Sequence, residues 1–398
     1  MPTKKNNIKS IEDFINFQSD IEPDSVSESG VIQPYNPEKI SIETKVLSMD
    51  TCLRRLRQKS IILNPSFQRN EVWDNIRKSR LIESLMLKIP IPMFYVASDE
   101  KGVLTVVDGL QRFSAIRDFI IDKTLVLHNL EYWKDYNDKS FDRLPEYIQN
   151  RILETEFTFT IINPGTPEEV KLNIFKRINT GGIPLSAQEI RNALYGGKSV
   201  IILNELSETE EFKEATGQTI HSLRMEDKEL ILRYLSFALS DYSLYGKNSM
   251  IMGNSVDMTK LSDLTSSGNN VMDMWLSQAM TKLNQSSESS LETIHATFKT
   301  AMNRCHKLFG IHTFRKSFGN KTKTPINKCL FEVWGNVLSK LTDSEYHNLY
   351  RNRNALLTEY NDLLKAKVFI DSISRYGSDA KSVKYRFETI NNIVKKYQ

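Results

Sequence analysis

Near residue 200 the apolar residues of this chain change their period. Between Ile40 and Gly197 short β-prone runs alternate with helically spaced ones. Beyond that point strand signals fade, and long amphipathic stretches such as DKELILRYLSFAL, SLETIHATFKTAMNRCHKLF, INKCLFEVWGNVLSKL and RNALLTEYNDLLKAK succeed one another. A period of two needs a sheet face and a period of 3.6 a helix stripe, so the two halves bury their apolar residues in different ways. The pattern predicts an α+β chain, with an α/β domain over residues 41–198 and a mainly α-helical domain over 199–398. Residues 1–40 mix Asn, Ser, Pro and acids with few large apolars and carry four Lys against seven Asp and Glu; they read as a disordered or partly ordered tail.

Inside the first domain, ISIETKVLSM alternates as a strand, Asp50 or Thr51 is placed to cap the short basic helix TCLRRLRQ, and SIILNP reads as a second strand. Trp73, Ile76, Leu81, Ile82, Leu85 and Met86 recur at helical spacing until Pro90 and Pro92 end the helix. MFYVAS and VLTVVD read as strands on either side of the acidic turn DEKG, and a helix is predicted over 111–121. EFTFTIIN is a strand, TPEEVKLNIFKRIN a helix, NTGGIP a turn, and SAQEIRNALYGG a helix closed by Gly196 and Gly197.

Composition excludes several classes. With 398 residues, 40% of them hydrophobic and 26% charged, the chain is neither collagen-like, disulfide-rich nor wholly disordered. Cys52, Cys305 and Cys329 form no C-x-x-C pair, so zinc and dithiol motifs are absent and a reducing compartment fits. No apolar run approaches the roughly 20 residues that span a bilayer, and the first residues lack the apolar core of a signal peptide. A cytoplasmic protein without membrane attachment is expected. The net charge of +4 permits contact with nucleic acid without demanding it, and oligomerisation stays open.

In TVVDGLQRFSAI a strand runs into Asp108 and Gly109 and a helix follows at once. The first backbone N–H groups of a helix are unpaired and its dipole is positive there, so an anion docks readily, and Gly109 lets it come close to the backbone. Arg112 is placed to contact a phosphate, Asp108 to hold Mg²⁺ or polarise a water, and Gln111 to orient that water. The bland reading of the junction is plain turn chemistry. Two further polar clusters accompany it. NPSFQRNEVW sets Gln68 and Arg69 just past a strand, and FKRINTGGIPLSAQEIRNAL gathers Arg177, Asn179, Thr180, Gly181, Gly182, Gln188, Glu189, Arg191 and Asn192 around a glycine turn and a helix start. Ser186 with Glu189 three residues on also fits a capping box with no other role.

Taken in order, FQRNEVW, LIESLMLKIPIP, VVDGLQR and IFKRINTGGIPLSAQEIRNAL resemble the N-terminal domain of GmrSD-type restriction endonucleases, a ParB/sulfiredoxin-like family of phage-defence proteins. The likeness spans roughly Ile40 to Gly197, and RMEDKELILRYL and INKCLFEVW resemble the helical extension of stand-alone members. The resemblance implies a ParB/sulfiredoxin-like α/β domain that binds and hydrolyses a nucleoside triphosphate with Mg²⁺ to control DNA cleavage. Its Asp-Gly-Gln-Gln-Arg motif falls on Asp108, Gly109, Leu110, Gln111 and Arg112, with an apolar Leu110 in place of an amide. Its Tyr-Gln-Arg motif falls on Phe67, Gln68 and Arg69. Gln68, Arg69, Gly109, Arg177, Asn179, Thr180, Gly181, Gly182, Glu189, Arg191 and Asn192 are the implied nucleotide-binding set, with Asp108, Gln111 and Arg112 catalytic. Leu110 also favours an alternative, a ParB-like switch that binds nucleotide without turnover and alters its grip on DNA or on a partner effector protein encoded elsewhere.

Rival motifs are weaker. The HNH nuclease of longer members has no counterpart among His128, His221, His295, His306, His312 and His347. Pro23-Asp24 with Glu43-Thr44-Lys45 matches a PD-(D/E)-x-K spacing, but its first Asp lies in the tail, and EVK at 169–171 reads as a helical face. A sulfiredoxin-type reductase needs a thiol where this chain has Leu110. Residues 351–398 hold ten Lys and Arg against five acids with tyrosines between them, a mixture that suits a nucleic-acid backbone or a solvated helical face equally.

Overall fold

The computed structural model describes residues 20–22, 40–63, 73–178, 186–220, 224–247, 268–317 and 322–398. They fall into two compact units, Tyr35–Gly196 and Gly197–Gln398, the second including the segment 20–22. Among the described residues no helix is long and apolar enough to cross a membrane.

The first unit is built on a five-stranded mixed sheet: β1 (Ile42–Ser48), β2 (Ile61–Ile62), β3 (Phe94–Ser98), β4 (Leu104–Asp108) and β5 (Glu156–Ile162), in the order β1-β5-β3-β4-β2. β1 runs antiparallel to β5, β5 parallel to β3, β3 antiparallel to β4, and β2 parallel to β4. Among its described residues SIILNP thus contributes two to the ladder, Ile61 and Ile62. The helices are α1 (Met49–Arg57), α2 (Asn75–Met86), α3 (Leu110–Ile120), α4 (Glu146–Leu153), α5 (Glu168–Ile178) and α6 (Ala187–Leu194). α1 is capped by Ser48 rather than Asp50 or Thr51. Ser48 keeps extended backbone angles and accepts from the Thr51 N–H, while Met49 N–H still pairs with Thr155 O, so the helix begins straight out of the strand.

Strand alternation assigns the helices to faces. Phe94, Val96, Leu104, Val106, Phe157, Phe159 and Ile161 point into a core closed by α1, α2, α3 and α4. Val107 and Ile162 point the other way, onto Leu172 and Phe175 of α5 and Ile190 and Ala193 of α6. Leu110 packs against both clusters. It is the apolar plug between the two layers at the end of β4, which accounts for a leucine where the resembled motif carries an amide.

The connection from α3 to α4 is tied down by two polar side chains one turn apart on the buried side of α2. Ser79 Oγ accepts the His128 N–H at 2.9 Å; Glu83 accepts the N–H groups of Glu131, Tyr132 and Trp133 at 3.0, 2.7 and 3.0 Å and Arg80 Nη1 at 3.2 Å. Glu83 is 3% exposed, so this carboxylate replaces its water shell entirely with protein donors.

The second unit is helical. Its helices are α7 (Lys198–Ser207), α8 (Glu210–Thr216), α9 (Glu226–Ala238), α10 (Gly268–Gln285), α11 (Glu288–Phe309), α12 (Lys328–Ser339), α13 (Asp343–Arg351), α14 (Arg353–Leu363), α15 (Lys367–Ile373) and α16 (Ala380–Tyr397); α9, α11, α15 and α16 pack on α12, which is buried from Cys329 to Leu338. A mostly apolar helix belongs at the centre of a bundle, and the two buried polar residues of α12, Glu332 and Asn336, are held by Arg386 and by the Tyr234 and Glu332 carbonyls. Gly335 lets α9 approach it: a Cβ there would lie 2.8 Å from the Tyr234 ring. The segment 20–22, read from sequence as part of a tail, is docked here. Ile21 is buried and bridges to Ile326, Asp20 pairs with Arg315 at 2.6 Å, and Glu22 pairs with Lys316 at 2.7 Å.

Candidate functional site

β4 ends at Asp108, and α3 begins two residues later with Gly109 as its N-cap at φ 97°, ψ 10°. Such angles cost a non-glycine residue on the order of 1–2 kcal/mol. A side chain at 109 would also overlap the Phe94 ring. Among the described residues no side chain caps α3, whereas Ser48, Asp74 and Ser186 cap α1, α2 and α6. The first amides of α3 therefore carry their partial positive charge toward the β4 end without a protein acceptor from the cap residue.

Arg112, in the first turn of α3, is 9% exposed and is held on all sides. Its Nη2 lies 2.8 Å from Asp108 Oδ2 and 3.2 Å from Met93 O, its Nη1 donates to Pro92 O, and its guanidinium stands 4.6 Å from the Phe94 ring centroid. Burial lowers its pKa and the Asp108 carboxylate works against that. The guanidinium thus fastens the entrance of β3 to the start of α3 and acts on a neighbouring anion through its field rather than by a free bidentate fork. Asp108 is 35% exposed at its side chain and uses only Oδ2 on Arg112; among the described residues Oδ1 takes no hydrogen bond. Gln111 Oε1 accepts the Trp73 N–H at 3.2 Å. β2 ends at Ile62 opposite Thr105 of β4, and the described chain resumes at Trp73, whose N–H meets Gln111 at this corner.

The structure therefore brings Asp108, Gly109, Gln111 and Arg112 together. Gln68, Arg69, Asn179, Thr180, Gly181 and Gly182 lie outside the described residues, as does the side chain of Arg177 near the end of α5. Glu189 forms the capping box with Ser186: its Oε2 accepts the Ser186 N–H, and its own N–H donates to Ser186 Oγ at 3.1 Å. Gln188 links Asn192 and Arg191, donating Nε2 to Asn192 Oδ1 and accepting Arg191 Nε, both at 2.9 Å. All four are fully buried on α6, beside the β4 strand that carries Asp108. Ser186→Ala is expected to cost about 1–2 kcal/mol by removing the cap over a buried Glu189, read as a lower midpoint in chemical denaturation.

Sequence reasoning missed the Pro92 and Met93 carbonyls, the Trp73 amide and Phe94. Backbone groups leave no trace in residue type. The one legible hint is KIPIP itself, since an extended proline segment leaves its carbonyls unpaired. Among the described residues no group of three or more His, Cys, Asp and Glu could hold a metal ion alone. Asp108 Oδ1 fits the other common arrangement, in which Mg²⁺ takes one protein carboxylate and completes its shell with phosphate and water.

Neither curated proteins nor solved structures give a match to the chain. Over residues 53–196, which hold β2 to β5, the Asp108–Arg112 corner and α6, the chain matches the family described as GmrSD restriction endonuclease, N-terminal domain, and this part of it is a domain of that family.

Proposed function

We propose that this chain is a component of a restriction or phage-defence system whose Tyr35–Gly196 unit binds a nucleoside triphosphate with its phosphates against the start of α3 and hydrolyses it, coupling nucleotide state to action on DNA. The observation that carries the reading is the glycine-capped start of α3, directly behind an Asp108–Arg112 pair at a strand end. The amides of Leu110, Gln111 and Arg112 offer hydrogen bonds, Gly109 presents no Cβ, and the buried Arg112 charge adds a favourable field. Bound Mg²⁺ would neutralise phosphate charge, held by Asp108 through Oδ1. Gln68, Arg69, Arg177, Asn179, Thr180, Gly181 and Gly182 are proposed to contact the nucleotide from the two flanking segments, and Glu189, Arg191 and Asn192 to support them from α6.

One observation favours a second reading, a switch that binds nucleotide without turnover. Orienting an attacking water needs an acceptor aimed at it, and Gln111 Oε1 already gives one of its two lone pairs to the Trp73 N–H, which turns it toward the backbone, while Leu110 is packed into the cores. The test is Mg²⁺-dependent hydrolysis of each ribonucleoside triphosphate by the chain and by Asp108→Asn, with binding measured in parallel. Turnover that falls about 10²–10⁴-fold in Asp108→Asn with binding kept supports hydrolysis at this corner. Binding without turnover in the native chain supports the switch. Undiminished turnover in Asp108→Asn sinks the assignment of the site.

A further inference from the structure

We propose that the outer face of α1 is the surface through which this chain grips the phosphate backbone of duplex DNA. Arg54, Arg55, Arg57 and Lys59 fall within six residues. α1 buries Met49, Cys52 and Leu53, which leaves Arg54, Arg57 and Lys59 exposed and Arg55 half-buried. None of the four has a carboxylate partner among the described residues, whereas Lys45, Lys78, Arg80, Arg112, Arg117 and Lys123 of the same unit are all drawn into ion pairs. Asp50, one turn before Arg54, makes no ion pair among the described residues, and Asp99 Oδ1, in the turn after β3, accepts the Lys101 and Val103 N–H groups.

Complementing the helix dipole accounts for a cation or two in a last turn, not for Lys59. That residue stands beyond the helix at φ 58°, where its N–H donates to Leu56 O and the Ser60 N–H to Arg55 O. Glycine suits such a closing residue best; lysine keeps a charge there against the backbone preference. From Arg54 to Lys59 the axis advances about 8 Å, enough to face neighbouring phosphates of one strand.

The C-terminal basic run is the rival surface, and four of its ten cations are committed to carboxylates. Arg386 is buried against Glu332, while Lys365, Lys384 and Lys396 pair with Asp362, Glu388 and Glu359. α1 is also separate from the nucleotide corner. β1 and β4 run in the same direction through β5 and β3, so α1 descends from the end of the sheet that holds Asp108 and delivers Arg57 and Lys59 to the opposite end, where β2 begins. The inference rests on the reading above only in taking DNA as the polymer.

The test uses the full chain, a labelled duplex and anisotropy titrations over a range of salt, for the native sequence and for Arg54→Gln/Arg57→Gln/Lys59→Gly. Native binding is expected to weaken with salt, and the triple variant to lose at least about tenfold in affinity at low salt with a log–log salt slope shallower by about 2.7. Its melting temperature should stay level or rise, because glycine relieves position 59, and nucleotide binding should be unchanged, so failure of the nucleotide reading registers separately. A control, Lys367→Gln/Arg375→Gln/Lys381→Gln, should leave affinity and slope as they are. Native affinity and slope in the α1 variant, loss in the control instead, or binding of the native chain to anionic phospholipid vesicles or RNA but not to duplex DNA would each overturn the proposal.

Discussion

Gly109→Ala is expected to lower the stability of the Tyr35–Gly196 unit by about 2–5 kcal/mol and to abolish the phosphate binding proposed for the start of α3. Two costs add. Alanine at φ 97° is strained wherever it stands, and its methyl would be driven into Phe94. Phe94 cannot yield, since its ring is fully buried against Phe113, Phe157 and Phe159 with centroids 4.3, 5.2 and 5.4 Å away. Any shift of that ring also disturbs Arg112, stacked on it, and through Arg112 the position of Asp108. Chemical denaturation of Gly109→Ala, Phe94→Leu and the double variant separates the costs. Phe94→Leu should recover the overlap part and leave the backbone part, giving a coupling energy of about 1–3 kcal/mol. Simple additivity of the two changes would show that the ring does not set the requirement for glycine.

Glu83→Gln should cost about 3 kcal/mol or more, although it is nearly isosteric and far from any proposed ligand. Both carboxylate oxygens accept two donors each, so an amide places an NH₂ against N–H groups that already donate. Hydrogen exchange should accelerate at the Glu131, Tyr132 and Trp133 amides in particular. Burial alone would raise the pKa of Glu83; the hydrogen bonds from the Glu131, Trp133 and Tyr132 amides and Arg80 outweigh it and hold the carboxyl below its ordinary value. The sign follows: a depressed folded pKa contributes stability that is present above the unfolded value of about 4.3 and disappears as pH falls through the folded one. The native unit should therefore lose stability over that acid range more steeply than Glu83→Gln. Parallel curves for the two proteins would assign the hub no electrostatic role.

Much of the sheet unit could be read in advance where local pattern and tertiary demand agree. β1, β4 and β5 form where strands are read, although Ile42 and Val46 of the edge strand β1 stay exposed, and Asp108-Gly109 separates strand from helix as the turn residues suggest. The limits of the reading were physical. Ser48 continues a strand by pairing and caps a helix at the same time, so composition alone favoured the acids that follow. Glu83 sits among Leu81, Ile82, Leu85 and Met86, where a carboxylate looks like a flaw in an apolar stripe until its partners on a later connection are known. Arg112 stands in the first turn as the sequence suggests; that Nη1 and Nη2 also hold Pro92 O, Met93 O and Asp108 depends on how β3 enters the sheet.

The contact between Asp20 and Arg315 joins residues 295 apart. In order of synthesis, Asp20 emerges first, the whole sheet unit next, and the arginine that receives it close to the end. The sheet unit is thus an insertion within a discontinuous helical one, able to form early while its host waits for a closing clasp. A fragment cut at Gly197 would keep Arg315, which is 2% exposed, and discard its counter-ion, so excising the helical half as a separate piece would expose a buried cation rather than liberate a self-sufficient fold.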